Sequence, residues 1–167
     1  MNKTFRFALG ALSASTTFVA ALAAAPAFAG GKPVDLLTAV PAESEKIFTE
    51  TIERAGGINT FAHAREPATV DTQTIVRSQS DMLYSQGVFD VSKGMTVTVP
   101  KCAIGYQSVL MFDANHGQLG VVYCGESREV TADQVSTEDK HIYAMMRTST
   151  DKGIEAANAA QDAVKFA

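Results

Sequence analysis

Neither a Cys-x-x-Cys pair nor a His-x-x-x-His spacing occurs in this 167-residue chain. With them go the commonest local signatures of thiol redox chemistry and of metal binding. The three histidines, His63, His116 and His141, stand far apart in the chain, so no metal and no cofactor is expected. A Gly-x-Ser-x-Gly elbow is missing as well, and with it the usual device for lifting a nucleophilic serine out of a strand. No glycine-rich loop leads into a helix, so nucleotide phosphates have no cradle. Basic charge is scarce: 14 Lys and Arg face 18 Asp and Glu, for a net charge of −4. A basic stripe for nucleic acid is therefore absent, and an acidic balance of this size serves solubility.

Long apolar runs are confined to the start. "MNKTFRFALGALSASTTFVAALAAAPAFA" sets Lys3 and Arg6 before an Ala-rich apolar run and ends on Ala27-Phe28-Ala29. This is the pattern of a secretory signal peptide, with cleavage expected between Ala29 and Gly30. Nothing later reaches the roughly 18 apolar residues of a spanning helix, so the mature chain is expected to lack a membrane span and to be exported, periplasmic or secreted. The leader holds two of the 14 basic residues and none of the 18 acidic ones, leaving 12 against 18 in the remainder. Residues 30–167 suffice for one domain with a sizeable core.

Cys102 and Cys124 are the two cysteines. An oxidising compartment permits them to pair, which would close a loop worth about 3 kcal/mol in the chain-entropy treatment; the alternative is two buried free thiols.

Along the mature chain, "PAESEKIFTETIERA" (41–55) has acids early, Arg54 late and Gly56-Gly57 behind it, the signals of a helix. Its apolar stripe is Ile47, Phe48, Ile52 and Ala55. After a polar stretch, "NTFAHAREPATVD", two-residue alternation takes over. "TQTIVR", "MLYSQGVFDV", "MTVTVP", "YQSVLMFD", "LGVVYC", "REVT" and "HIYAMMRT" read as strands. Ala114-Asn115-His116-Gly117 suits a hairpin connection, because Asn and Gly tolerate positive φ. "TSTDKGIEAANAAQDAVKF" returns to helical spacing, with Ser149 or Asp151 as expected cap. Strands bracketed by two helices, without βα alternation, predict an α+β fold: an antiparallel β-rich sandwich or partly closed barrel with an N-terminal and a C-terminal helix.

The stretch "FAHAREPATVDTQTIVRSQSDMLYSQGVFDVSKGMTVTVP" resembles the uncharacterised family catalogued as domain of unknown function 1254 (DUF1254). Its members carry an Arg-x-Asn-x-Asp-Thr-Leu-Tyr-Ser run followed by an Asp-Leu-x-x-Gly-Pro turn. The matching residues here are Arg77, Asp81, Leu83, Tyr84, Ser85, Asp90 and Gly94, while Gln79 and Met82 stand where the family has Asn and Thr. "GYQSVLMFDANH", "VVYCG", "MMRT" and "AAQDAVK" are similar to its short exported members. The resemblance implies a family without assigned chemistry. Larger relatives carry a second, mostly β domain, so an activity built on both would here require another chain.

The polar residues of the signature are the candidate site. Arg77 and Asp81 can form a bidentate guanidinium–carboxylate pair, with the Tyr84 phenol bonded to one of them. Arg65 nearby would then be left for a carboxylate or phosphate ligand. The alternative is a buried polar cluster that fixes strand register. Ser85, His63 and Asp81 also supply the ingredients of a nucleophilic triad, without an oxyanion hole. Tyr106, Tyr123 and Tyr143, with Phe89 and Phe112, are core or cross-strand aromatics before they are a pocket lining. The leading expectation is a non-catalytic binding or accessory module, in which Arg65, Arg77, Asp81 and Tyr84 contact a small anionic ligand or a partner protein. A hydrolase-type enzyme, helped by a second domain or chain, and a structural or assembly role are the alternatives.

Overall fold

The computed structural model describes residues 34–72 and 79–167. The expected leader, with the cleavage expected between Ala29 and Gly30, and Arg77, with most of the strand expected at "TQTIVR", lie outside the described residues. The order is helix α1 (Ala39–Ala55), strands β1 (Thr60–His63), β2 (Met82–Asp90), β3 (Met95–Thr98), β4 (Gln107–Asp113), β5 (Gln118–Tyr123), β6 (Ser127–Val130) and β7 (His141–Ser149), helix α2 (Ile154–Ala163) and strand β8 (Lys165–Phe166).

Every strand pair is antiparallel. One sheet has five strands in the order β1-β2-β7-β4-β5, and the other has three in the order β6-β3-β8. Neither closes on itself, so the α+β sandwich is what forms and the partly closed barrel is not.

Alternation along the strands decides what each face touches. Phe89, Val109, Met111, Val122, Ile142, Ala144 and Met146 point from the five-stranded sheet into a core shared with Met95, Val97 and Val130 of the small sheet. On the opposite face, Val88 and Tyr143 pack with Phe48 of α1, flanked by Ile47, Ile52 and Phe112. The Tyr143 ring stacks on Phe112 at 4.8 Å, and burial raises its phenol pKa although Thr51 and Arg54 act to lower it. Helix α1 ends where the sequence places Gly56: its φ of 78° is left-handed, and its N–H and that of Gly57 reach the carbonyls of Glu53 and Ile52.

The structure adds two strands that alternation did not reveal. β1 forms inside the "polar stretch" because it pairs with β2, His63 opposite Ser85. β8 is taken from the end of the expected second helix, where Lys165 and Phe166 pair with β3. That helix starts at Ile154 behind Gly153, without a side-chain cap from Ser149 or Asp151.

β1 and β2 approach closely at Gly87. A Cβ there would lie 2.5 Å from the Thr60 carbonyl oxygen and 2.8 Å from a ring carbon of Phe89. Backbone of a neighbouring strand cannot step aside, so Gly87→Ala is expected to cost about 2 kcal/mol by overpacking. Urea unfolding of the variant checks this, and an unchanged midpoint would show that the edge strand gives way freely.

Candidate functional site

The signature residues divide between the two faces of β2. Ser85 points toward the core side and is fully buried. Its Oγ lies 2.8 Å from His63 Nδ1 on β1 and accepts from Gln161 Nε2 of α2 at 2.9 Å. Gln161 Nε2 also donates to the Ala64 carbonyl at 3.2 Å, and its Oε1 accepts from Arg65 at 3.3 Å. Arg65 is in turn ion-paired with Asp162 at 2.6 Å and caps the Asn158 carbonyl at 3.3 Å. This network joins β1, β2 and α2 and includes Arg65 in a charge-neutral pair. Burial, then the Arg65 charge, lowers the His63 pKa, and Asp162 opposes them. A neutral imidazole at physiological pH follows.

Ser85 and His63 therefore meet, as a nucleophilic pair would, but Asp81 does not join them. It precedes β2, where its carbonyl accepts from Thr150 N–H at 3.1 Å and Thr150 Oγ1 at 2.9 Å. β2 is hydrogen-bonded on both sides, by β1 and β7. Its amides are spent in the ladders and do not converge as an oxyanion hole would require.

Tyr84 points to the other face. Antiparallel register sets Tyr84 opposite Arg147, Arg147 opposite Ser108, and Ser108 opposite Tyr123. One transverse row thus crosses β2, β7, β4 and β5. The Arg147 guanidinium carbon lies 6.0 Å from the Tyr84 ring centroid, within cation–π range. Both side chains bond Gln79 Oε1: the Tyr84 hydroxyl at 3.3 Å, and Arg147 through a terminal nitrogen. Arg147 Nε is buried and has no hydrogen-bond partner, and among the described residues no carboxylate pairs with this guanidinium. Tyr106 and Tyr123 continue the row edge to face, with centroids 6.3 Å apart, and the Tyr106 hydroxyl donates to Ser108 Oγ at 2.9 Å. α1 packs over Val88, Tyr143 and Phe112, rows further along the sheet, and the exposed ring of Tyr123 remains 45% accessible.

Of the four candidate residues, then, Tyr84 lies on the aromatic face, Arg65 on the opposite side against α2, Asp81 at the strand entry, and Arg77 outside the described residues. Arg147 was not among them. Its signal was present as the one Lys or Arg in "HIYAMMRT", in the outward phase with Tyr143 and Met145. Among the described residues no three His, Cys, Asp or Glu side chains converge as metal ligands would, and no helix is long and apolar enough to cross a membrane. Cys102 and Cys124 are bonded, with their Cα atoms 5.3 Å apart.

No curated protein matches the chain. Among solved structures, the VPA0106 protein from Vibrio parahaemolyticus superposes with a TM-score of 0.56 at 19% identity, covering 76% of this chain and 35% of that one. An uncharacterised protein from Burkholderia cenocepacia gives 0.39 at 19% identity, covering 71% and 39%. The first likeness shows a shared fold, and the chain spans little more than a third of the length of either structure. Residues 58–132 match the family described as "Protein of unknown function (DUF1254)", a span running from the approach to β1 past β6 and holding every signature residue from Arg77 to Gly94. That match, over somewhat less than half of the chain, supports its assignment to the DUF1254 family.

Proposed function

We propose that the chain is an exported, single-domain, non-catalytic binding module whose ligand is a small carboxylate or phosphate seated on the aromatic row Tyr84–Arg147–Ser108–Tyr123. The observation that carries this reading is Arg147, a guanidinium laid by the Tyr84 ring, with one nitrogen unsatisfied and no carboxylate partner among the described residues. An anion placed there gains charge-assisted hydrogen bonds, and the flanking tyrosines offer apolar area with hydroxyl handles. Arg65 is not an anchor of this site, because it lies on the opposite side against α2 and Asp162 already neutralises it. The Ser85 hydroxyl, shared between His63 and Gln161 and fully buried, supports a structural role for that pair over a hydrolase.

The test is thermal unfolding of the purified protein with inorganic phosphate, citrate and benzoate. A ligand at a hundred times its Kd adds about 2.7 kcal/mol to stability. At least one anion is expected to stabilise saturably, with affinity falling at least tenfold in Arg147→Ala and unchanged in Arg65→Ala. Stabilisation that survives Arg147→Ala, or none with any of the three anions, would remove the assignment.

A further inference from the structure

A second concavity lies on the far part of the same sheet, between α1 and the connection from β6 to β7. It is a cleft of ≈ 410 Å³ whose walls include Ser44, Phe48 and Ile52 of α1 and Thr137, Asp139 and His141 opposite. That is the size of a small-molecule site. Ser44 is 1% exposed although it sits on a helix near the surface. Its Oγ has no hydrogen-bond partner, and the same is true of Thr137 Oγ1 on the other wall. Buried hydroxyls are ordinarily satisfied, so two orphans lining one cleft mark a place where a ligand group completes the structure.

The charges around the cleft select the ligand. Carboxylates come from Asp139 and Glu45, and among the described residues neither lysine nor arginine contributes to the lining. His141 Nδ1, 3.4 Å from Asp139 Oδ2, is the one basic group among the described residues of the rim. The orphan hydroxyls can accept from a ligand donor as well as donate, so the sign of the ligand is set by the carboxylates, which favour a cation, and by the Phe48 ring, a cation–π surface beside the aliphatic wall of Ile52. An anion is repelled by both the carboxylates and the ring face.

We propose that this cleft binds a small primary alkylammonium, its nitrogen donating to Ser44 Oγ and Thr137 Oγ1 near Asp139 and its alkyl chain resting on Phe48 and Ile52. The site is independent of the Arg147 row, which prefers the opposite charge.

Titration of the protein with n-butylammonium, n-butanol and butyrate, followed by two-dimensional amide NMR, tests it. Butylammonium is expected to shift α1 and residues 136–141 saturably, at least tenfold more tightly than butanol, with no saturable effect of butyrate. Ser44→Ala is expected to fold with unchanged or raised Tm, since it removes an unsatisfied hydroxyl, and to weaken butylammonium binding at least tenfold. Asp139→Asn should weaken butylammonium while leaving butanol unaffected. Equal binding of butanol and butylammonium, no saturable shift with either, or full affinity in Ser44→Ala would each overturn the proposal.

Discussion

Replacing Cys102 and Cys124 together by alanine is expected to lower the unfolding free energy by about 3 kcal/mol, roughly 10 °C in Tm for a domain of this size. The bond links the β3–β4 connection to the turn after β5, across a separation of 22 residues. Breaking it returns that much closure entropy to the unfolded chain. The folded state should survive, because the cross-link lies beside the shared core, where Cys102 packs without being fully buried. Dithiothreitol added to the unaltered protein should move its urea midpoint to that of the double variant and leave the variant where it is. Coincident midpoints for oxidised and reduced protein would show that the cross-link adds nothing to stability.

Loss of the Asp113 carboxylate should cost a similar amount, about 3 kcal/mol in Asp113→Ala, because several hydrogen bonds to one buried charge go together. Asp113 is 1% exposed at the end of β4. It accepts from Asn115 N–H at 3.0 Å, Gly117 N–H at 2.8 Å, Ser136 N–H at 3.0 Å and Ser136 Oγ at 2.5 Å. It therefore shapes the hairpin turn, where His116 takes a φ of 60°, and ties that turn to the loop before β7. Burial pushes its pKa up, but the Ser136, Gly117 and Asn115 hydrogen bonds outweigh burial and hold it below the usual carboxylate value.

The sign of the pH effect follows. Between the ordinary value near 4 and the lower folded value, the native state binds fewer protons than the unfolded one, so stability falls as pH falls. The contribution is complete above about pH 4 and is lost on acidification through the folded pKa. Urea unfolding from pH 7 to pH 3 should show a steeper acid loss in the unaltered protein than in Asp113→Ala. Parallel losses would mean that Asp113 acts by shape and not by charge.

Much of the framework could be read from residue order, because each strand from β2 to β7 alternates over its own length and each hairpin residue serves its own turn. β1 escaped because Thr60, Phe61, Ala62 and His63 are a strand only by virtue of lying against β2. β8 escaped for the same reason: two residues after a helix acquire their conformation from β3. The site followed that division. Tyr84 stood out in the motif, whereas Arg147 became its neighbour through cross-strand register, 63 positions along the chain. Arg65 looked available in sequence and was not, since Asp162, far away in order, lies beside it in space. Ser44 and Thr137 carry no local pattern; only the fold brings them, 93 positions apart, to the walls of one cleft as unpartnered hydroxyls.

The position of β7 has a consequence for the order in which this protein can fold. β7 stands between β2 and β4, so the large sheet is two separate ribbons, β1-β2 and β4-β5, until residues 141–149 arrive. Two-stranded ribbons are marginal in water, and pairings this distant in sequence close slowly. A chain emerging from its N-terminus holds Leu83, Val109 and Met111 on unpaired strand edges until the seventh strand inserts. β7 is thus the keystone of the strands that precede it, and the interval before it arrives is when aggregation competes with folding.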